Sequence, residues 1–78
     1  MKGVVFTGLL KMVEKRFGYV VANNIIIKSN LPSEGIYTSV GTYDYKEMQS
    51  LVKQLSDETG ISGNDLLEAF GTYYFDTL

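Results

Sequence analysis

Glycines and capping side chains cut this chain into helix-length pieces, and that punctuation constrains the fold more than any other feature. Gly18 follows Phe17, with Lys15 and Arg16 in the turn before it, the pattern of a helix C-terminus. Gly60 ends a later stretch in the same way, with Ile61 placed to contact the last turn. Asp44 opens that stretch as an N-cap, and Glu47 three residues on resembles a capping box. Tyr43 and Met48 are spaced for the accompanying hydrophobic staple. Ser62 with Asp65 is a weaker form of the same start signal.

Between these marks the apolar residues recur at helical spacing. Over residues 2–17, Phe6, Leu10, Val13 and Phe17 share one stripe, with Val5, Leu9 and Met12 beside it and Lys11, Glu14 and Lys15 opposite. Over residues 44–59, Met48, Leu51, Val52 and Leu55 make the stripe expected to be buried, and Lys53 and Asp57 are spaced to pair on the outer face. Over residues 62–77 the expected stripe is Leu67, Phe70, Tyr74 and Leu78. No stop signal follows Leu78, so this helix reads as one cut off on its apolar face.

Two stretches are less determined. Residues 19–29 are rich in β-branched side chains; by propensity they form a hairpin turning at Asn23-Asn24. By periodicity they form a helix, with Val20, Asn24 and Ile27 aligned and Val21, Ile25 and Lys28 aligned. Residues 30–43 are a connection: Ser29 to Gly35 is turn chemistry, Ile36 to Val40 a short extended piece, and Gly41-Thr42 leads into the next helix. Three or four helices with short connections imply a mainly α, single domain over residues 1–78.

Composition excludes several functions. The chain has no cysteine and no histidine, which removes disulfides, thiolate metal sites, and the commonest general base and heme ligand. The net charge of −2 carries no basic stripe, so nucleic acid is not an expected partner. No apolar run approaches the roughly 20 residues of a membrane span. Charged residues Glu14, Lys15 and Arg16 follow the first apolar stretch too soon for a signal peptide, so a cytoplasmic protein without a membrane partner is expected. Glu14, Glu47, Asp57, Glu58, Glu68 and Asp76 all read as solvated faces or caps, and no metal-ligand spacing occurs. No catalytic residue and no metal ligand is therefore expected, and the chain is not expected to be an enzyme. The tyrosines (19, 37, 43, 45, 73 and 74) read mostly as core-edge residues. Gly71 is the local anomaly: mid-helix, it costs up to about 1 kcal/mol against alanine. It implies tight packing against another helix, close approach to a flat ligand, or both.

Three blocks carry a resemblance. Met1-Lys2-Gly3-Val4-Val5-Phe6, then Gly35-Ile36-Tyr37-Thr38-Ser39-Val40-Gly41-Thr42-Tyr43, then Leu67-Glu68-Ala69-Phe70-Gly71-Thr72-Tyr73-Tyr74-Phe75 resemble, in order and spacing, the start of the heme-nitric oxide/oxygen binding (H-NOX) family, relatives of the soluble guanylate cyclase heme domain. The resemblance implies a helix over residues 19–29, giving a bundle of four helices at about 2–17, 19–29, 44–59 and 62–77 with an irregular 30–43 connection. It implies the distal helical subdomain of a gas sensor for nitric oxide or oxygen. The partner would be a histidine kinase, a diguanylate cyclase or phosphodiesterase, or a cyclase. By position it assigns the distal heme wall to Val5, Leu9, Tyr74 and Leu78, with Tyr74 as a donor to bound ligand. The proximal half, with the family's axial histidine and its Tyr-x-Ser-x-Arg propionate grip, has no counterpart. Tyr37-Thr38-Ser39-Val40-Gly41 mimics that grip out of place and with Gly41 where Arg is required. Heme is thus the family cofactor, not one expected on this chain alone. The alternative is a stand-alone helical interaction module without heme, a homo-oligomer joined through an open apolar face on its first and last helices, with non-specific binding of an apolar ligand there as a residual reading.

Overall fold

The computed structural model describes the backbone of residues 1–77 and the side chains of residues 1–73. Four helices follow in chain order: α1 (Gly3–Phe17), α2 (Tyr19–Ser29), α3 (Tyr45–Thr59) and α4 (Gly63–Thr77). Helix α2 packs on both α1 and α3, and α4 packs on α3 and α1. Phe6, Leu9, Met12 and Val13 of α1 meet Ala22 and Ile25 of α2, Leu51 and Leu55 of α3, and Leu66 and Phe70 of α4 in one core. The radius of gyration, 11.3 Å, matches the ~11.5 Å of a folded chain of this length, so the chain closes around its own core.

The punctuation works as expected, with the caps just outside the helices. The Asp44 Oδ1 accepts from the Lys46 N–H at 2.9 Å, and the Gly60 N–H, at φ 75°, donates to the Ser56 carbonyl at 2.8 Å. The Ser62 hydroxyl accepts from the Asp65 N–H at 3.1 Å and sets the start of α4 at Gly63. Gly18 serves two helices at once. At φ 92° its N–H donates to the Glu14 carbonyl, ending α1, and its carbonyl accepts from the Ala22 N–H, starting α2. A side chain at that φ is strained, so the one-residue corner requires glycine.

The hairpin alternative for residues 19–29 is overturned. Asn23 and Asn24 lie mid-helix, and the Asn24 amide donates to Glu58 Oε1 at 3.0 Å. Tertiary burial of Ala22 and Ile25 outweighs the weak strand preference of the β-branched residues. The stripe expected on α4 is also corrected. Leu66, Phe70 and Tyr73 face the core, and Leu67 is 47% exposed. Gly63 sets that rotation: it sits against α3, with a Cβ at its position 3.6 Å from Val52. Residues three, seven and ten positions on then share its face. The expected Lys53–Asp57 pair gives way, among the described residues, to an ion pair of Lys28 with Glu58 at 3.4 Å. The Ile36–Val40 segment forms no strand.

Helix α1 starts without a side-chain cap. The backbone of the connection caps it instead. The Gly3 N–H donates to the Gly41 carbonyl and the Tyr43 N–H to the Met1 carbonyl, both at 2.8 Å, with an isolated antiparallel bridge between Lys2 and Thr42. This approach leaves no room at residue 3, where a Cβ would overlap the Thr38 carbonyl. Gly3→Ala therefore displaces the connection from α1. Thermal unfolding followed by circular dichroism is expected to show a loss of about 2 kcal/mol, the scale of overpacking, or a Tm lower by roughly 8–16 °C.

Candidate functional site

The α1 start, the connection and α3 converge on one aromatic cluster. Phe6 stacks on Tyr37 with ring centroids 4.4 Å apart and planes 16° apart. Tyr43 meets both rings edge-on, at 5.7 Å from Phe6 and 4.8 Å from Tyr37. The polar ends of the rings turn back into the fold. The Tyr43 hydroxyl accepts from the Thr38 N–H at 2.8 Å, and the Tyr37 hydroxyl donates to Glu47 Oε1 at 3.0 Å. The Ser33 hydroxyl donates to the same oxygen at 2.6 Å.

Glu47 is therefore not the solvated capping residue expected. It is 7% exposed, and its carboxyl group ties the connection to α3. The signal for this was present: Glu47, Leu51 and Leu55 stand at i, i+4 and i+8, on one face of α3. Burial, first of all, pushes the Tyr37 hydroxyl up to about 12, reinforced by the neighbouring Glu47. The Tyr37–Gly41 segment is thus engaged as a structural clasp. A Cβ at Gly41 would stand 2.7 Å from the Tyr43 hydroxyl, so an arginine there is incompatible with this arrangement.

Of the residues assigned to a distal heme wall, Leu9 is 1% exposed and lies in the core, and Val5 is half-buried against that core. Tyr74 and Leu78 lie outside the residues whose side chains are described. Leu67, one turn before Gly71, instead lines an open groove of 340 Å³ between α3 and α4, with Met48, Gln49, Val52 and Lys53. Gly71 itself is exposed, and a Cβ there would meet nothing within 4 Å. The expected tight helix packing at Gly71 is absent among the described residues. No cluster of three metal-ligating side chains occurs among them either.

Three outcomes follow from this geometry. Glu47→Leu leaves the Ser33 and Tyr37 hydroxyls without their acceptor and is expected to cost about 1–3 kcal/mol in thermal or urea unfolding, with Glu47→Gln costing less. Tyr37 has a folded pKa above its unfolded value, so its contribution is complete below pH 10 and is lost as pH rises towards about 12. Unfolding measured across that window should show a falling stability that Tyr37→Phe flattens. Gly71→Ala adds a methyl group to open space and is expected to raise stability by up to about 1 kcal/mol; a fall in Tm would mean that α4 needs the glycine.

A family model described as Haem-NO-binding matches residues 2–78. Two solved structures of the H-NOX protein from K. algicida, both Fe(II) unliganded and one of them a mutant, superimpose with a TM-score of 0.96 at 44% and 45% identity. Each match covers 99% of this chain and 42% of the K. algicida chain, so the chain spans less than half the length of these relatives. A search of curated proteins finds no match. No described helix is long and apolar enough to cross a membrane. With the same four helices matched over nearly every residue, the chain belongs to the Haem-NO-binding, or H-NOX, family.

Proposed function

We propose that residues 1–78 act as the distal helical wall of a heme-dependent gas-sensing domain. The observation that carries this reading is the match of almost the whole chain, at 45% identity, to part of a protein described as Fe(II) unliganded H-NOX. When bound, a ferrous heme supplies the iron to which nitric oxide or oxygen adds.

The residues of this chain do not complete a heme site. With no histidine or cysteine, the familiar axial ligands left are methionine and tyrosine. Met12 and Met48 are buried in the core and the hydroxyls of Tyr37 and Tyr43 are held by Glu47 and Thr38, so none of these four is free to reach an iron. What the chain offers is an apolar wall and a rigid support for it. Val5 supplies the partly accessible contact on α1. Leu9, behind it in the core, holds the register of α1. Tyr74 and Leu78, whose side chains lie outside the described residues, are the further wall positions that the family resemblance assigns. The axial ligand and the propionate grip then come from protein outside residues 1–78. Gas-dependent signalling to a kinase, cyclic-di-GMP enzyme or cyclase is a property of that larger assembly.

The test joins residues 1–78 to the part of the K. algicida H-NOX protein that the match leaves uncovered. The chimera is expected to bind ferrous heme stoichiometrically and to shift its Soret band with nitric oxide. The 78-residue chain alone is expected to do neither. A stoichiometric ferrous heme complex of the chain alone, or a heme-free chimera that is nonetheless folded, would refute the proposal.

A further inference from the structure

The residue after Val5 on α1 is held from outside the helix. Phe6 is 0% exposed, stacked on Tyr37 at 4.4 Å and met edge-on by Tyr43 at 5.7 Å. Successive side chains on a helix point about 100° apart, so fixing Phe6 fixes the direction in which Val5 projects, and that of Leu9 one turn on. The Gly3 N–H, 2.8 Å from the Gly41 carbonyl, fixes the same turn along the helix axis. Both holds come from the connection, and they add to the packing of α1 on α2 and α4.

The connection has its own anchor in the first turn of α3. The Ser33 and Tyr37 hydroxyls donate to one atom, Glu47 Oε1, at 2.6 and 3.0 Å. An apolar side chain of similar size would fill this buried place without the desolvation cost of a carboxyl group. What the carboxyl adds is direction. Two donors from one turn of the connection converge on a single oxygen, and few seatings of the connection satisfy both. A line of contacts therefore runs from Glu47 through the Tyr37 ring to Phe6, and from Phe6 along α1 to the residues on either side of it.

We infer that Glu47 is a positioning residue for the wall-bearing turn of α1: through Tyr37 and Phe6 it sets where Val5 and Leu9 stand. The inference deepens the distal-wall reading and rests on it. Glu47 acts through the connection and is not itself part of the wall.

Amide hydrogen exchange of the 78-residue chain separates position from stability. Tyr37→Phe keeps the stacked ring and removes only the hydroxyl that reaches Glu47. The Gly3 and Tyr43 N–H groups bond across the seam between α1 and the connection. Their exchange is expected to speed up about fivefold more than that of Leu51 and Leu55 in the core of α3, the factor of one lost hydrogen bond. An equal or smaller factor at the seam means that the clasp only adds stability, and overturns the inference.

The second measurement uses the chimera with the uncovered part of the K. algicida protein. Tyr37→Phe and Glu47→Leu are expected to change the rate of nitric oxide loss from the ferrous heme at least about twofold, the lower end of couplings carried between packed sites. Glu47→Gln keeps an acceptor oxygen for the two hydroxyls and should restore most of the original rate. Asn24→Ala removes the hydrogen bond from α2 to Glu58 and should leave the rate unchanged. If Glu47→Leu does not fold, Tyr37→Phe still decides the matter. A heme-loaded chimera whose Tyr37→Phe variant keeps the original rate overturns the inference and leaves the distal-wall reading standing. So does a rate that shifts as much in Asn24→Ala. A folded chimera that takes up no heme overturns that reading, and the inference with it.

Discussion

Phe6 stacked on Tyr37 is the contact on which the rest of the molecule depends. It brings an irregular connection of fourteen residues against α1, where the Gly41 carbonyl does what no side chain near Lys2 does: it accepts from the first N–H of the helix, that of Gly3. Buried backbone groups of a loop need partners as much as those of a helix. Here they come from short turns, from the Tyr43 hydroxyl and from the first three residues of the chain. The ring contacts contribute about 0.5–1.5 kcal/mol per aromatic pair beyond the area they bury. Glu47 contributes mainly position. Burying a carboxyl group offsets much of what its two hydrogen bonds supply, so its main effect is to select one seating of the connection on α3.

The same logic explains α2. Its β-branched sequence is a poor choice for an isolated helix, and its outer face repays none of that cost within the fold. Gly18 turns the chain so that Ala22 and Ile25 enter the core directly after α1, and burial then decides in favour of helix. What remains outside is an apolar, uncharged surface centred on Asn23.

The candidate heme wall rests on the family resemblance, and only its apolar spacing was legible. Helical spacing put Val5 and Leu9 on the apolar side of α1, where the structure also places them. Spacing alone did not separate a core position from a wall position, because both are apolar and recur at three and four residues. Leu9 is enclosed and Val5 is only half so. Glu47 shows the converse. As a residue type it reads as surface or cap, and only the arrival of Ser33 and Tyr37 from the connection makes its burial tolerable.

The sequence by itself determined the helix boundaries, through Gly18, Asp44, Gly60 and Ser62, because capping and left-handed turns are local physics that few residue types satisfy. It also determined that this chain holds no histidine or cysteine for a heme iron, and, through three blocks of residues, its kinship. Tertiary structure alone decided the rest: the helical state of residues 19–29, the rotation of α4 that buries Leu66 and exposes Leu67, and the burial of Glu47. Each is a choice between local alternatives of nearly equal free energy. Contacts between residues far apart in the chain settle such choices, and no window of sequence contains them.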